Sequence, residues 1–242
     1  MKKTIVITGA SRGIGKAIAI ELAGKGTNIV INCVNNVDKL NEVKSIIEEK
    51  GSVCETFIGN MGNYSDVQKM FDMCLQRFGQ VDVLINNAGI SVVGLFQDMG
   101  EDEWHRICNT NIDSVFNCCH FAVKDMMKRH CGKIINISSV WGLYGASCEV
   151  AYSATKGAVN SFTKALAKEL APSGIQVNAV ACGAIDTEMN GHLSDYDKAE
   201  LAEEIPAGRF GTPQEVAELV KSLSGMNSYL TGQIITLDGG WI

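Results

Sequence analysis

The sequence predicts an α/β fold built on a parallel sheet, and two patterns carry this prediction. Short runs rich in Val and Ile recur along the 242 residues, and most are apolar throughout rather than alternating. Continuous apolar runs are typical of strands that are buried on both faces of a parallel sheet. Helix-like segments separate these runs, so right-handed crossovers should place helices on both faces of the sheet.

Each element can be assigned from this alternation. About seven strands are expected, at residues 4–8, 28–33, 53–59, 81–86, 133–138, 175–181 and 233–238. The helices are expected at residues 14–25, 37–50, 65–78, 102–130, 152–170 and 213–224. No linker or repeat interrupts the series, so residues 1–242 are interpreted as a single domain with a Rossmann-type, doubly wound fold.

One segment departs from the alternation. Residues 183–212 are polar, contain glycine and form an unusually long connection. They follow the sixth predicted strand, at the end of the sheet where open α/β folds bind their ligands. We interpret this segment as a substrate lid, with a loop that is disordered without ligand as the alternative.

Composition narrows the class of protein. The formal net charge is −6 and no long basic run occurs, which disfavours binding to nucleic acid or to an anionic membrane surface. No apolar stretch approaches the ~20 residues of a transmembrane helix. The nine cysteines are irregularly spaced and form no C-x-x-C pair, which disfavours a disulfide framework or a zinc site. A reducing, cytoplasmic compartment is therefore expected.

A glycine-rich loop, TGASRGIG, joins the first predicted strand to the first helix. Its glycines allow a tight turn and let a pyrophosphate approach the N-terminus of the helix. The alternative is an ordinary tight turn, but the position in a strand–helix–strand unit favours dinucleotide binding. The expected contacts from this loop are Gly9, Ser11, Arg12, Gly13, Ile14 and Gly15.

The second strand suggests which dinucleotide is bound. Sites that prefer NAD usually hold a carboxylate near the end of this strand, where it binds the ribose diol. Here no Asp or Glu occurs between Asn28 and Asn36, and Arg12 lies in the glycine loop. An arginine can bind a 2′-phosphate through paired hydrogen bonds. The sequence therefore favours NADP(H), with Arg12 and Asn35 as phosphate contacts, and a solvated Arg12 as the alternative.

Tyr152 and Lys156 lie four residues apart near the start of a predicted helix, so they share one helix face. On an exposed surface, Tyr152 would only pack against its neighbours and Lys156 would be solvated. In a cleft, the same two side chains could take part in proton transfer. NNAG at 86–89 and two serines at 138–139 follow predicted strands. The carboxyl ends of these strands should open onto one crevice.

These motifs closely resemble those of the short-chain dehydrogenase/reductase family, of the classical type. TGASRGIG, NNAG, Asn111, Ser139 and YSATK match in order and spacing, and the resemblance spans essentially the whole chain. It implies that Tyr152 is the general acid and that Ser139 fixes the substrate oxygen. It also implies that Lys156 lowers the pKa of the phenol and holds the nicotinamide ribose, while Asn111 anchors a water that resupplies protons.

The same resemblance implies further cofactor contacts around the crevice. The residues concerned are Asn60 and Met61 beside adenine, Asn87, Ala88 and Gly89 beside the adenine ribose, and Ile185 and Thr187 beside nicotinamide. Cys182 stands where the family usually has proline. Cys182 and Cys148 flank the expected catalytic residues, but no His lies near them in sequence, which disfavours a nucleophilic role.

The substrate is less constrained. Within the family the sequence looks most similar to the bacterial 3-oxoacyl-[acyl-carrier-protein] reductases, which implies reduction of 3-oxoacyl thioesters in fatty acid synthesis. An acidic carrier protein would need a basic patch near the cleft, and the candidates for it are Lys124, Lys128, Arg129 and Lys133. Many such reductases carry a basic residue where this chain has Ser173.

Three alternatives remain open. The segment around Trp141 and Glu149 also resembles the reductases of 5-aminopentanone-modified elongation factor P, and a carboxylate at Glu149 would suit a substrate with an amine. A sugar, steroid or small ketone is another possible substrate. An NADP-sensing regulator without activity is the third alternative, although such regulators typically lose the Tyr or the Lys. Relatives pair through the segments 102–130 and 152–170, so a homotetramer is expected.

Overall fold

The computed structural model describes residues 2–191, 193–225 and 229–242. Its centre is a sheet of seven strands, all paired in parallel, in the order β3-β2-β1-β4-β5-β6-β7. The strands are β1 (Lys3–Ile7), β2 (Thr27–Cys33), β3 (Val53–Ile58), β4 (Val83–Asn86), β5 (Gly132–Ser139), β6 (Ile175–Cys182) and β7 (Ile234–Leu237). The predicted fold class is confirmed.

Helices cover both faces of this sheet. They are α1 (Gly13–Leu22), α2 (Val37–Glu49), α3 (Tyr64–Phe78), α4 (Glu101–Cys108), α5 (Ser114–Arg129), α6 (Trp141–Tyr144), α7 (Val150–Leu170), α8 (Asp195–Glu204) and α9 (Pro213–Gly225). Among the described residues, none of the helices has the length and apolar character needed to traverse a lipid bilayer.

The strands are apolar throughout because both of their faces are buried. In β1, Ile5 and Ile7 pack in one core with α1, α2 and α9, whereas Val6 packs in a second core with α3, α5 and α7. Successive strand side chains point to opposite faces, so a strand covered on both sides needs apolar residues at every position. The order of the strands reverses between β1 and β4, which opens a crevice at their carboxyl ends.

The helix predicted at 102–130 is wrong as a single α-helix. The structure divides it into α4 and α5, with a turn of π-helix at Asn109–Asp113 between them. Asn111 lies in this turn, and its side chain bonds both the N–H and the C=O of Ile90. These two hydrogen bonds to a distant loop favour the local widening of the helix, a feature that is often found at functional sites.

The predicted lid at 183–212 contains regular structure. A 3-10 turn occupies Glu188–Asn190, and α8 begins at a capping box formed by Ser194 and Asp197. None of the residues of α8 is buried, so its sequence lacks the apolar stripe by which a helix is usually recognised. Residue 192 of the segment lies outside the described residues. The function of the segment as a lid stays a prediction.

Two of the four residues suggested as a basic patch for a carrier protein, Arg129 and Lys133, lie at the N-terminal end of the strands. The helix α5 runs back against the strands, so its last residues meet the N-terminal ends of β4 and β5. Arg129 there contacts Asp82 at 2.9 Å and Asp125 at 2.8 Å. Lys133 is the second residue of β5, and its ammonium group points to the carbonyl of Leu223. Within one chain, Arg129 and Lys133 are therefore separated from the cavity by the length of the sheet, and the basic patch stays a prediction.

Candidate active site

A cavity of about 1080 Å³ opens at the carboxyl ends of the central strands. It brings together every residue predicted for the site except Asn111. The predicted residues that line it are Gly9, Ser11, Arg12, Gly13, Ile14, Gly15, Asn35, Asn60, Met61, Asn87, Ala88, Gly89, Ser139, Tyr152, Lys156, Ile185 and Thr187. Residues far apart in the chain thus meet at one place because parallel strands end along the same edge.

The glycine loop is packed too closely for side chains at two positions. Gly9 has φ +64°, and a Cβ on Gly15 would lie 2.3 Å from the Gly9 carbonyl oxygen and 2.4 Å from Asn87 Nδ2. The Asn87 amide donates to the carbonyls of Thr8 at 3.0 Å and Gly9 at 2.9 Å, so it fastens the loop to the end of β4. The side-chain-free cradle at the N-terminus of α1 fits a dinucleotide pyrophosphate.

Ser139, Tyr152 and Lys156 converge at the ends of β5 and α7. The Ser139 hydroxyl accepts from Trp141 N at 3.2 Å and lies near enough to the Tyr152 hydroxyl to influence the pKa of the phenol. The Lys156 ammonium lies 5.5 Å from the centre of the Tyr152 ring and donates to the Ile137 carbonyl at 2.9 Å. Lys156 is only 5% exposed, so the cation is held inside the protein beside the phenol.

The protein's own groups shift the two pKa values in a direction that the sequence did not predict. Burial raises the pKa of Tyr152, and the hydrogen bond with Ser139 only partly opposes this effect. Burial also lowers the pKa of Lys156 to about 8. Burial of the charged form is the largest cause of both shifts. The expectation that Lys156 and a bound nicotinamide together lower the pKa of the phenol stays a prediction.

Asn111 is 1% exposed and stands behind the cavity wall. Its Nδ2 donates to Ile90 O at 2.9 Å and to Thr155 Oγ1 at 3.1 Å, while its Oδ1 accepts from Ile90 N at 2.8 Å. A Cβ on Gly89 would lie 3.4 Å from both Asn111 Oδ1 and Lys156 Nζ. Asn111 and Lys156 therefore flank the backbone of Gly89. The proton-supply role of Asn111 stays a prediction.

Two side chains in the adenosine region already have partners. The Asn60 amide donates to Asn109 Oδ1 at 3.2 Å and its oxygen accepts from Gly62 N at 2.9 Å. Arg12 forms an ion pair of 2.7 Å with Glu188. The direct bond from the Asn60 amide to adenine and the phosphate contacts of Arg12 and Asn35 stay predictions.

A sequence model described as short chain dehydrogenase matches residues 3–198, which is most of the chain. The chain belongs to the short-chain dehydrogenase family. It is therefore an oxidoreductase that acts on CH–OH and C=O groups with a nicotinamide cofactor. The resemblance drawn from its motifs is confirmed.

Three relatives of this short-chain dehydrogenase illustrate its closeness to one branch of the family. Each is named 3-oxoacyl-[acyl-carrier-protein] reductase FabG. The protein from Staphylococcus epidermidis strain RP62A is 41% identical over 241 residues, covering 99% of this chain and 99% of the relative. The protein from Staphylococcus aureus strain Mu50 is 41% identical over 99% of this chain and 98% of the relative. The protein from Chlamydia muridarum is 37% identical over 99% of this chain and 97% of the relative.

The part of the dehydrogenase cavity around Glu149 and Trp141, where we expect the substrate, is acidic and aromatic. Glu149 accepts a hydrogen bond from Ser91, and both residues line the cavity together with Glu204. Trp141 and Trp241 also line it, with ring centres 4.9 Å apart in an edge contact. The cations on the described part of the wall are Arg12 and Lys156, both assigned to the cofactor side. A substrate with a positive charge would suit this side better than an anion.

Sequence reasoning missed several residues of the short-chain dehydrogenase site. Lys39 and Glu188 form an ion pair of 3.0 Å beside Arg12, and Ser91 is bonded to Glu149. A basic residue in the first turn of the helix after the second strand was a signal for Lys39, because the adenosine ribose is expected near that turn. Cys182 also lines the cavity, but burial raises the pKa of its thiol to about 12, which disfavours a nucleophilic thiolate.

Replacing Gly15→Ala tests the cradle. The new Cβ would collide with the Gly9 carbonyl, so the loop would have to move from the position that fits the pyrophosphate. We expect cofactor binding to weaken about tenfold or more, measured by isothermal titration calorimetry. Gly24→Ala is the matched control, since no atom lies within 4 Å of its Cβ. Equal affinities for the wild type and Gly15→Ala would contradict this account of the loop.

The lowered pKa of Lys156 predicts a particular dependence of stability on pH. Between about 8 and the ordinary value of 10.5, the unfolded chain holds the Lys156 proton more tightly than the folded chain. Stability therefore rises with pH in this window, by an amount on the order of 3 kcal/mol. Urea unfolding of the wild type and Lys156→Met should diverge in favour of the wild type between these pH values. A constant difference between the two proteins would contradict the burial of the ammonium group.

Proposed function

We propose that this short-chain dehydrogenase is a cytoplasmic, NADPH-dependent reductase of 3-oxoacyl thioesters carried by acyl carrier protein, in fatty acid synthesis. The observation that carries the proposal is the 41% identity over 99% of both chains to a protein named for that activity. The convergence of Ser139, Tyr152 and Lys156 at one edge of the cavity agrees with it. Nine unpaired cysteines support a reducing compartment.

A nicotinamide cofactor held by the glycine loop and by Lys156 would supply the hydride that the carbonyl carbon accepts. The hydroxyls of Ser139 and Tyr152 donate hydrogen bonds to the carbonyl oxygen, and Tyr152 gives up its proton as negative charge develops there. Burial raises the pKa of Tyr152, so the phenol is protonated and able to act as an acid at neutral pH. Lys156, with a pKa of about 8, is mostly charged at neutral pH and stabilises the phenolate that remains.

The choice of NADPH over NADH rests on charge beside the adenosine ribose. No carboxylate occurs in β2 or in the turn that follows it, so the second strand lacks the acidic residue that would bind a ribose diol and repel a 2′-phosphate. Arg12 and Lys39 bring two cations to the same region. An arginine and a lysine together would bind a phosphate dianion.

The second candidate substrate is a ketone that carries an amine, as in 5-aminopentanone-modified elongation factor P. It is favoured by the carboxylates of Glu149 and Glu204 in the cavity wall. It is also favoured by the position of Arg129 and Lys133, at the opposite end of the sheet from the cavity. An amine would be attracted by these carboxylates, whereas the phosphate of a carrier-bound substrate would be repelled.

The proposed assembly is a homotetramer. Several large apolar side chains are exposed on the faces of the helices that relatives use for pairing, among them Phe116 at 49% and Met127 at 40%. Burial of such side chains between copies would be favourable.

Replacing Tyr152→Phe tests the proton donor. The substitution removes only the hydroxyl, so ketone reduction should fall about 100- to 10,000-fold while cofactor affinity stays close to that of the wild type. The rate is measured as oxidation of NADPH with acetoacetyl thioester. Tyr144→Phe is the matched control, because that phenol is 62% exposed outside the site. A Tyr152→Phe variant that keeps most of its rate would exclude Tyr152 as the acid. A wild type that reduces no ketone on a broad panel would favour the alternative of an NADP-sensing regulator without activity.

A second experiment separates the two substrate classes. The wild type is assayed with acetoacetyl thioester, its carrier-protein form and 5-aminopentanone-modified elongation factor P. We expect the highest kcat/KM for the carrier-protein form and expect Glu149→Gln to leave that value unchanged or higher. Glu169→Gln, an exposed carboxylate at the far end of α7, is the control. Preference for the amine-bearing ketone, with a loss of about tenfold in Glu149→Gln alone, would replace the first candidate by the second.

A further inference from the structure

Glu188 bridges two cations from different parts of the fold. Its Oε2 lies 2.7 Å from Arg12 Nη1 in the glycine loop, and its Oε1 lies 3.0 Å from Lys39 Nζ in the first turn of α2. The side chains of all three residues are about half exposed, so solvent ions and ligands can reach them. Hydrogen bonds to both cations lower the pKa of Glu188, so it is a carboxylate at neutral pH.

The backbone around Glu188 is held in place by contacts of its own. Asn190 donates from its side chain to Ile185 O at 2.8 Å and from its backbone to Thr187 O at 3.0 Å. Thr187 packs against the glycine loop, because a Cβ on Gly13 would lie 3.5 Å from Thr187 Cγ2. Glu188 is therefore presented to the two cations by an ordered turn.

The chemistry of this ion-pair cluster matches that of a bound phosphate monoester. Two oxygens of one anionic group accept from a guanidinium and an ammonium group that converge from separate elements. A phosphate would use the same donors and carries more negative charge than a carboxylate. The cluster borders the region where the adenosine ribose is expected, at the ends of β1 and β2.

We propose that Glu188 occupies the binding site of the 2′-phosphate of NADP(H), with Lys39 as the second phosphate ligand beside Arg12. The carboxylate competes with the phosphate and has to leave both cations when NADP(H) binds. Since Glu188 belongs to the segment 183–212, binding of the phosphate releases the start of that segment from the glycine loop. This inference rests on the proposed preference for NADP(H).

The test compares affinities for NADPH and NADH by isothermal titration calorimetry. Removing the competitor in Glu188→Gln should tighten NADPH binding about 3- to 30-fold, because two exposed ion pairs no longer have to be broken. NADH has no 2′-phosphate, so its affinity should change less than about twofold. Adding Lys39→Gln to Glu188→Gln should weaken NADPH binding again and leave NADH unaffected. Unchanged or weaker NADPH binding by Glu188→Gln would overturn the proposal, since Glu188 would then be a support for Arg12.

The controls separate a local effect from a general change of charge. Glu48→Gln removes the same charge from an exposed ion pair with Lys44, also on α2, at 3.8 Å. It should leave the affinities for both cofactors unchanged, and an effect equal to that of Glu188→Gln would overturn the proposal. A wild type that binds NADH more tightly than NADPH would overturn the choice of cofactor and this inference together. A wild type that prefers NADPH, with no tightening in Glu188→Gln, would overturn the inference alone.

Discussion

The site depends on a buried ammonium group. Lys156 is brought under the end of β5 by α7 and donates to the Ile137 carbonyl, so the strand that carries Ser139 also fixes the cation. Placing a charge there is costly, as its lowered pKa indicates. The hydrogen bond to Ile137 offsets part of this cost. The helix α7 also packs closely against α6, where a Cβ on Gly142 would meet the Lys156 carbonyl carbon at 2.6 Å. The geometry of the phenol follows from that of the lysine, one helical turn away.

Much of the fold could be predicted because the two cores impose a simple pattern. Ile5, Val6 and Ile7 face alternate cores, so strands like β1 stand out as apolar runs, and all seven strands were found within two residues at either end. The π-helical turn could not be predicted, because it depends on bonds between Asn111 and Ile90, 21 residues away. The helix α8 was missed because none of its residues is buried, so its sequence shows no apolar periodicity.

The candidate site was predictable where local motifs define it and hidden where separate elements meet. Gly15 and Tyr152 belong to recognisable motifs, and their positions along the cavity followed from the topology. Glu188 and Lys39 are separated by 149 residues, and nothing in either segment indicates the partner. The effect of burial on the pKa of Tyr152 could not be predicted for a related reason: the sequence named the neighbouring cation but not the degree of burial. Charge partners can be guessed from motifs, whereas desolvation depends on the whole fold.

The edge contact between Trp141 and Trp241 gives the molecule an optical property. Two of its three tryptophans stand in the cavity wall, and the third, Trp104, lies on α4. Indole emission is sensitive to the polarity of its surroundings and to nearby quenchers. The wavelength and intensity of the intrinsic tryptophan fluorescence should therefore change when a ligand covers the cavity wall and excludes water from it. Variants that keep one tryptophan would show which of the two indoles a bound molecule covers.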